Sequence, residues 1–270
     1  MVNLEQIREG WDRYAAAYDE AITPFSMRVA EDALSVADVR PGMKLLDIAA
    51  GGGALSIPAA RLGAEVLAAD FSPVMVELLN RKALEQGLSN LEARVMDGNA
   101  LELNDGAFDV SCSQWGIMLF PDRRKALREM ARVTRPGGKG VMVVFGPLQR
   151  VQIFSLFFQA LSTAIPTFTP PQNSPLFSLQ DPQNLRREME EAGFSDVQVE
   201  TQEHPFEVQS GDHLWSIMQF SAPATAGLLQ QFTSEQQVAA RATLDDLLRA
   251  EYGDGPAQLA IATHVGVGVK

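Results

Sequence analysis

Two periodicities run along the chain. Leu4, Ile7, Trp11, Tyr14 and Tyr18 recur at three- and four-residue steps, which predicts an amphipathic helix that Thr23-Pro24 breaks. A second helix over about 27–37 precedes the turn Arg40-Pro41-Gly42. Three short apolar runs follow, around Leu45-Leu46, Val66-Leu67 and Leu91 to Met96. The first, with Ile48 and Ala49, is continuous rather than alternating, as expected of a central parallel strand buried on both faces. Each closes on an acid, Asp47, Asp70 and Asp97, at spacings of 23 and 27 residues, about one strand–helix–strand unit each. Between them, Gly51 to Gly53 turn into a helix from about Ala54, where Pro58 is expected to cost a hydrogen bond and kink the chain. Ser72-Pro73 open the next helix and Gly87 ends it. Pro121-Asp122 open another, flanked by strands near 108–113 and 139–145.

Beyond Phe145-Gly146-Pro147 the regularity lapses. Val151, Phe154, Leu156, Phe157, Phe158 and Leu161 are too apolar for a solvent-facing helix, and four prolines follow between Pro166 and Pro175. Asp181-Pro182 start a helix to Ala192-Gly193, with a strand near 197–203 after it. A helical insertion over about 212–252 comes before a last strand, Gln258 to Val269. The two insertions are expected to cap the carboxyl edge of the sheet, with Phe154, Phe157, Phe158, Phe168, Phe177, Phe206, Trp215, Met218 and Phe220 as stock for a substrate pocket or for packing between cap and core. No internal repeat and no low-complexity tract interrupts this order.

The three acids fall at the carboxyl ends of parallel strands, where open α/β sheets bind ligands. Gly51 to Gly53 let a ligand approach the backbone, and the helix after them points free N–H groups at it. A dinucleotide fold holds pyrophosphate this way. Here Asp47 precedes the turn and repels phosphate while welcoming an ammonium group, and Ser56 stands where the third fingerprint glycine belongs. Asp70 lies 17 residues beyond Gly53, near the spacing at which an acid grips ribose hydroxyls; helix capping is the other use, already met by Ser72. Asp97-Gly98 suits either an adenine edge or an ordinary turn. The ligand read from these residues is a nucleoside with a cationic, phosphate-free tail.

In these segments the chain resembles the class I S-adenosylmethionine-dependent methyltransferases, in the group related to ubiquinone and menaquinone biosynthesis enzymes. The matching residues are Leu46-Asp47-Ile48-Ala49-Ala50-Gly51-Gly52-Gly53, Asp70-Phe71-Ser72, Asp97-Gly98, Phe108-Asp109-Val110 and the segment from Leu127 to Gly138. The family commonly has glycine where Ala49 stands. The resemblance implies an α/β, Rossmann-like, seven-stranded, mostly parallel sheet with an antiparallel last strand, helices on both faces and helical cap insertions. It divides the chain into a helical lid (1–40), a cofactor-binding core (41–147), a cap insertion (148–180), a core helix and strand (181–204), a second cap insertion (205–257) and the last strand (258–270). It implies S-adenosylmethionine as cofactor, held by Asp47, Ala49, Gly51, Gly53, Asp70, Phe71, Met75, Asp97, Gly98 and Gln114. Tyr14 and Tyr18 would close over it or simply pack their helix.

Composition narrows the partners. A hydrophobic share of 46% supports a full core, and 34 acidic against 22 basic residues give a net charge of −12, which argues against nucleic acid. The basic helix carrying Arg123, Arg124, Lys125, Arg128, Arg132 and Arg135 has no interleaved aromatics and reads as a solvated face rather than a stacking surface. Cys112, the single cysteine, reads as a core residue. The acidic amphipathic start is unlike a signal peptide, no run approaches a membrane span, and the expected location is the cytoplasm. No spacing suggests a metal. The expected reaction is direct in-line methyl transfer to oxygen, nitrogen or carbon of a small apolar or aromatic acceptor. His204 and His213 are candidate bases if the acceptor must lose a proton, with Asp212 behind them, and each histidine reads equally as a core or surface residue. A nicotinamide oxidoreductase and a cofactor-binding protein without methyl transfer are the alternatives.

Overall fold

The computed structural model describes residues 4–220 and 222–270; residues 1–3 of the expected lid lie outside them. Seven strands, β1 (Lys44–Ile48), β2 (Glu65–Asp70), β3 (Leu91–Val95), β4 (Phe108–Gln114), β5 (Thr134–Phe145), β6 (Ser195–Val208) and β7 (Ala257–Val269), form one sheet in the order β3-β2-β1-β4-β5-β7-β6. The pairs from β3 to β5 are parallel, and β7 runs antiparallel to both β5 and β6. This is the sheet the family resemblance implies, and its first three strands are those the apolar runs predict. Leu45, Leu46 and Ile48 are fully buried, because β1 is central and covered on both faces. Strand order reverses between β1 and β4. Right-handed crossovers therefore carry α3 (Ser56–Arg61) and α4 (Pro73–Glu85) to one face and α5 (Arg123–Val133) to the other. On these faces α2 (Thr23–Val36) packs on α3, and α5 on α7 (Pro182–Ala192). A crevice opens at the reversal, at the carboxyl ends of β1 and β4.

Helix ends follow their signals. The Ser72 hydroxyl accepts from the Met75 N–H at 3.1 Å, and the Asp122 carboxylate from the Lys125 N–H at 3.0 Å. The first helix, α1 (Leu4–Ala21), ends before Thr23-Pro24 as expected, with Ile22 alone between it and α2; α2 starts earlier than expected, at Thr23, with Pro24 in its first turn, where a missing N–H has no partner to lose. Pro58, the third residue of α3, costs the expected bond: its neighbours Ile57 and Ala59 donate to the Gly53 and Leu55 carbonyls, and position 58 has no N–H for the Ala54 carbonyl between them.

The cap consists of α6 (Gln152–Ala164), α8 (Gly211–Phe220), α9 (Pro223–Leu229) and α10 (Ser234–Tyr252). It does not roof the crevice directly. Helix α6 packs on α8, α10 and β7, while α8 and α9 reach the amino-terminal helix α1. The aromatic stock stacks on itself: Phe154 meets Phe145 and Phe177 at 5.6 Å each, and Phe157 meets Trp215 at 5.8 Å. Phe220 is the exposed exception. The basic face of α5 is neutralised by ion pairs, Arg123 to Glu188, Arg124 to Glu191 and Arg132 to Glu129 and Asp105.

Candidate functional site

The crevice holds a cavity of about 450 Å³, within the range of small-molecule sites. Its floor is the carboxyl edge of β1, β2 and β4, and its roof is α1, which contributes Leu4, Ile7, Trp11 and Tyr18. Of the residues proposed from sequence, Tyr18, Asp47, Ala49, Gly51, Asp70, Phe71, Met75, Asp97, Gly98 and Gln114 all line it. Gly53 lies just behind the wall, where Leu79 fills the space its side chain would take. Tyr14 is outside the lining.

The local backbone explains the shape. After β1 the chain takes left-handed conformations at Ala49 (φ 60°) and Gly51 (φ 52°). At Gly51 nothing stands within 4 Å of a would-be Cβ, so the cavity reaches the bare backbone there. Ala49 adopts its conformation at a cost that glycine would not bear. Its methyl occupies space that a Cβ at Gly116 would need, at 2.4 Å, so Gly116 is what lets alanine stand at position 49.

The acids are held differently. Asp47 is 1% exposed and accepts from the Ser56 hydroxyl at 2.6 Å. Burial pushes its carboxyl up to about 7, against the Ser56 bond and helped by the charge of Asp70. An ammonium group alongside it would restore the carboxylate. Asp70 accepts from the Ser72 and Gly51 N–H groups, both at 2.9 Å, so it fixes the glycine turn while facing the cavity. Burial raises it to about 6; those backbone bonds oppose the rise and the charge of Asp12 adds to it. Asp97 is exposed and accepts from the Asn99 N–H at 2.8 Å, an Asx turn that presents Gly98 to the cavity. Gln114 donates to the Ser26 carbonyl at 2.8 Å, leaving its Oε1 buried without a partner. Burial pushes the Tyr18 hydroxyl up to about 12, against a hydrogen bond with Ser26 and reinforced by Asp70 and Asp19.

These residues fit S-adenosylmethionine. Their chemistry matches its parts: Asp47 and the orphaned Gln114 Oε1 offer acceptors of the kind an ammonium takes, Asp70 a carboxylate of the kind hydroxyls take, and Asp97-Gly98 an acceptor and a backbone N–H side by side. The candidate bases lie elsewhere. His204 is buried on β6 behind Phe25, 3.7 Å from Asp32, and burial lowers its pKa despite that carboxylate. His213 opens α8, where its Nδ1 accepts from the Gln209 N–H at 3.1 Å. His264 is structural, bonded to Thr201 and the Gln180 carbonyl.

Trp115, Ser26 and the short turn Leu119-Phe120-Pro121 also line the cavity and were not proposed from sequence. Only the apolar run after β4 hinted at the last. Trp115 takes φ 55°, stacks between Phe25 and Phe145 at 6.0 and 4.7 Å, and leaves its buried indole N–H without a partner.

Comparison with known proteins gives one consistent result. A family model described as a methyltransferase domain matches residues 46–142. An uncharacterized protein of Mycobacterium tuberculosis is 36% identical over 125 residues, 46% of this chain and 44% of that one, so the match spans less than half of that relative's length. A demethylmenaquinone methyltransferase of Paenarthrobacter aurescens is 30% identical over 214 residues, 72% of this chain and 80% of that one. Among solved structures, the Haemonchus contortus phosphoethanolamine N-methyltransferase 2 in complex with S-adenosyl-L-methionine superposes with a TM-score of 0.59 at 17% identity, over 100% of this chain and 60% of that one.

Proposed function

This chain belongs to the class I S-adenosylmethionine-dependent methyltransferases, and we propose that it methylates oxygen, nitrogen or carbon of a small apolar or aromatic molecule. The observation that carries the acceptor class is the enclosure: the motif residues surround one cavity whose remaining walls are largely apolar and whose roof is a helix of the same chain. When bound, the cofactor supplies an activated methyl group on its sulfonium. The protein's own contribution is to bind, orient and exclude water. Asp47 and Gln114 hold the amino-acid tail, Asp70 the ribose and Asp97-Gly98 the base. Tyr18 keeps its proton at neutral pH and acts as a hydrogen-bond donor, not a base.

No histidine, lysine or cysteine lines the cavity among the described residues. The proton acceptors that line it are the carboxylates Glu5, Asp47, Asp70, Asp97 and Glu102, so an acceptor group that must lose a proton meets a carboxylate there rather than His204 or His213. Among the described residues no helix is long and apolar enough to cross a membrane. We place the enzyme in the cytoplasm, where the buried Cys112 remains a thiol. Methyl-labelled cofactor incubated with fractionated cell extract tests the acceptor class. Label is expected in the low-mass fraction; label confined to protein or nucleic acid would refute it.

A further inference from the structure

The roof of the cavity is tied down at two points, and both ties run to α4. Asp12 and Asp19 stand seven residues apart on α1, two helical turns, and so share a face. The Ser72 hydroxyl at the start of α4 donates to Asp12, and Lys82 Nζ in its last turn donates to Asp19 Oδ1 at 2.6 Å. Lys82 makes a second bond, to the Gly52 carbonyl, at 2.8 Å. That carbonyl belongs to the peptide whose other end, the Gly53 N–H, donates to the Ala50 carbonyl at 2.9 Å. A trans peptide held at both its oxygen and its hydrogen cannot rotate. Lys82 thus fixes the plane of the glycine turn and the position of the roof together. Asp19 closes the contact from above: a Cβ at Gly52 would meet its Oδ1 at 2.2 Å, so only glycine admits the carboxylate there. The pair is sheltered, with side chains 16% and 19% exposed, unlike the solvated Arg81–Glu85 pair on the same helix, and salt screens it correspondingly less.

We propose that Lys82 is a positioning residue for cofactor capture, clasping α1 over the cavity through Asp19 while it holds the Gly52–Gly53 peptide in place. Lys82 is not part of the cavity lining, so it acts through the residues it positions. Losing the clasp frees the roof to lift and the turn to rotate, and bound ligand then leaves faster. The proposal rests on the cavity being the S-adenosylmethionine site.

Trp11 in the roof and Trp115 in the wall make intrinsic fluorescence a reporter of occupancy. Stopped-flow dissociation of S-adenosylhomocysteine from the full chain is the test. Lys82→Met is expected to raise the off-rate and weaken affinity by about tenfold, the scale of a lost charge-assisted hydrogen bond. Lys82→Arg should return the off-rate to within about threefold of wild type. Asp19→Asn should speed release, and the double variant Lys82→Met/Asp19→Asn should be no faster than Lys82→Met alone, because both remove one interaction. Arg249→Met, which breaks a pair with Asp245 on α10, should leave release unchanged. An off-rate within twofold of wild type in Lys82→Met overturns the proposal. If that variant does not fold, an unchanged off-rate in Asp19→Asn does the same. Failure of the wild type to bind S-adenosylhomocysteine removes the cofactor reading and this proposal with it, whereas wild-type binding with unaltered variants removes the clasp alone.

Discussion

Asp70 does two things at one strand end: it faces the cavity and it pins the Gly51 and Ser72 N–H groups. Asp70→Ala therefore loses the ribose acceptor and loosens the turn, and affinity for S-adenosylhomocysteine should fall at least about tenfold by calorimetry. Unchanged affinity would remove Asp70 from the ribose. Asp47 gives a prediction with a sign. Its folded-state value, about 7, lies above the value of about 4 in an unfolded chain. Between those values the folded state binds the proton more tightly, so this group's contribution to stability falls as pH rises and is lowest above pH 7. Urea midpoints of wild type and Asp47→Asn from pH 5 to 8, without ligand, measure it together with its coupling to Asp70, since His204 and His264 are common to both. The variant should gain on the wild type by roughly 1 kcal/mol or more as pH rises from 5 to 7. A flat difference contradicts the burial argument. The acids were legible because strand ends follow from apolar runs. Lys82, Ser26 and Trp115 were not, because their partners lie far along the chain: Lys82 meets Asp19 across 63 residues, and Ser26 meets Gln114 across 88. The pairing of Ala49 with Gly116 was hidden likewise, since backbone strain leaves no mark in residue spacing.

Element by element, the chain announces its helices and strands through caps, glycine stops and runs of a single period. What periodicity does not show is which neighbour an apolar face will choose. The aromatic residues of α6 and α8 were free to face a substrate or one another, and they pack on one another because the cap has its own core to fill. Roofing is left to α1, whose Leu4, Ile7, Trp11 and Tyr18 face inward as their spacing implies, while Tyr14 stays outside the lining. Ile22 lies alone between α1 and α2, and we propose it as the hinge on which α1 opens. Limited proteolysis should cut near residues 21–24 quickly in the free protein and slowly with S-adenosylhomocysteine present. Equal rates would make α1 a fixed wall and not a lid. Removal of residues 1–20 should leave a folded sheet whose affinity for the same ligand is lost or much reduced.

At the scale of the whole molecule, the sheet reversal between β1 and β4 gathers residues from α1, α2, α4 and the first four strands around one cavity. The parallel half of the sheet was legible because each strand–helix unit carries its own turn chemistry. The long antiparallel pair β6–β7 was placed by resemblance, since β-pairing across an inserted cap has no local signal. The acceptor is the least legible part, because specificity lies in cavity walls that the family motifs do not include. Calorimetric titration of the intact protein with S-adenosylhomocysteine, repeated in the presence of NADH, tests the cofactor site most directly. The account predicts saturable one-to-one binding that NADH does not displace. Tight binding of NADH with no binding of S-adenosylhomocysteine would contradict it.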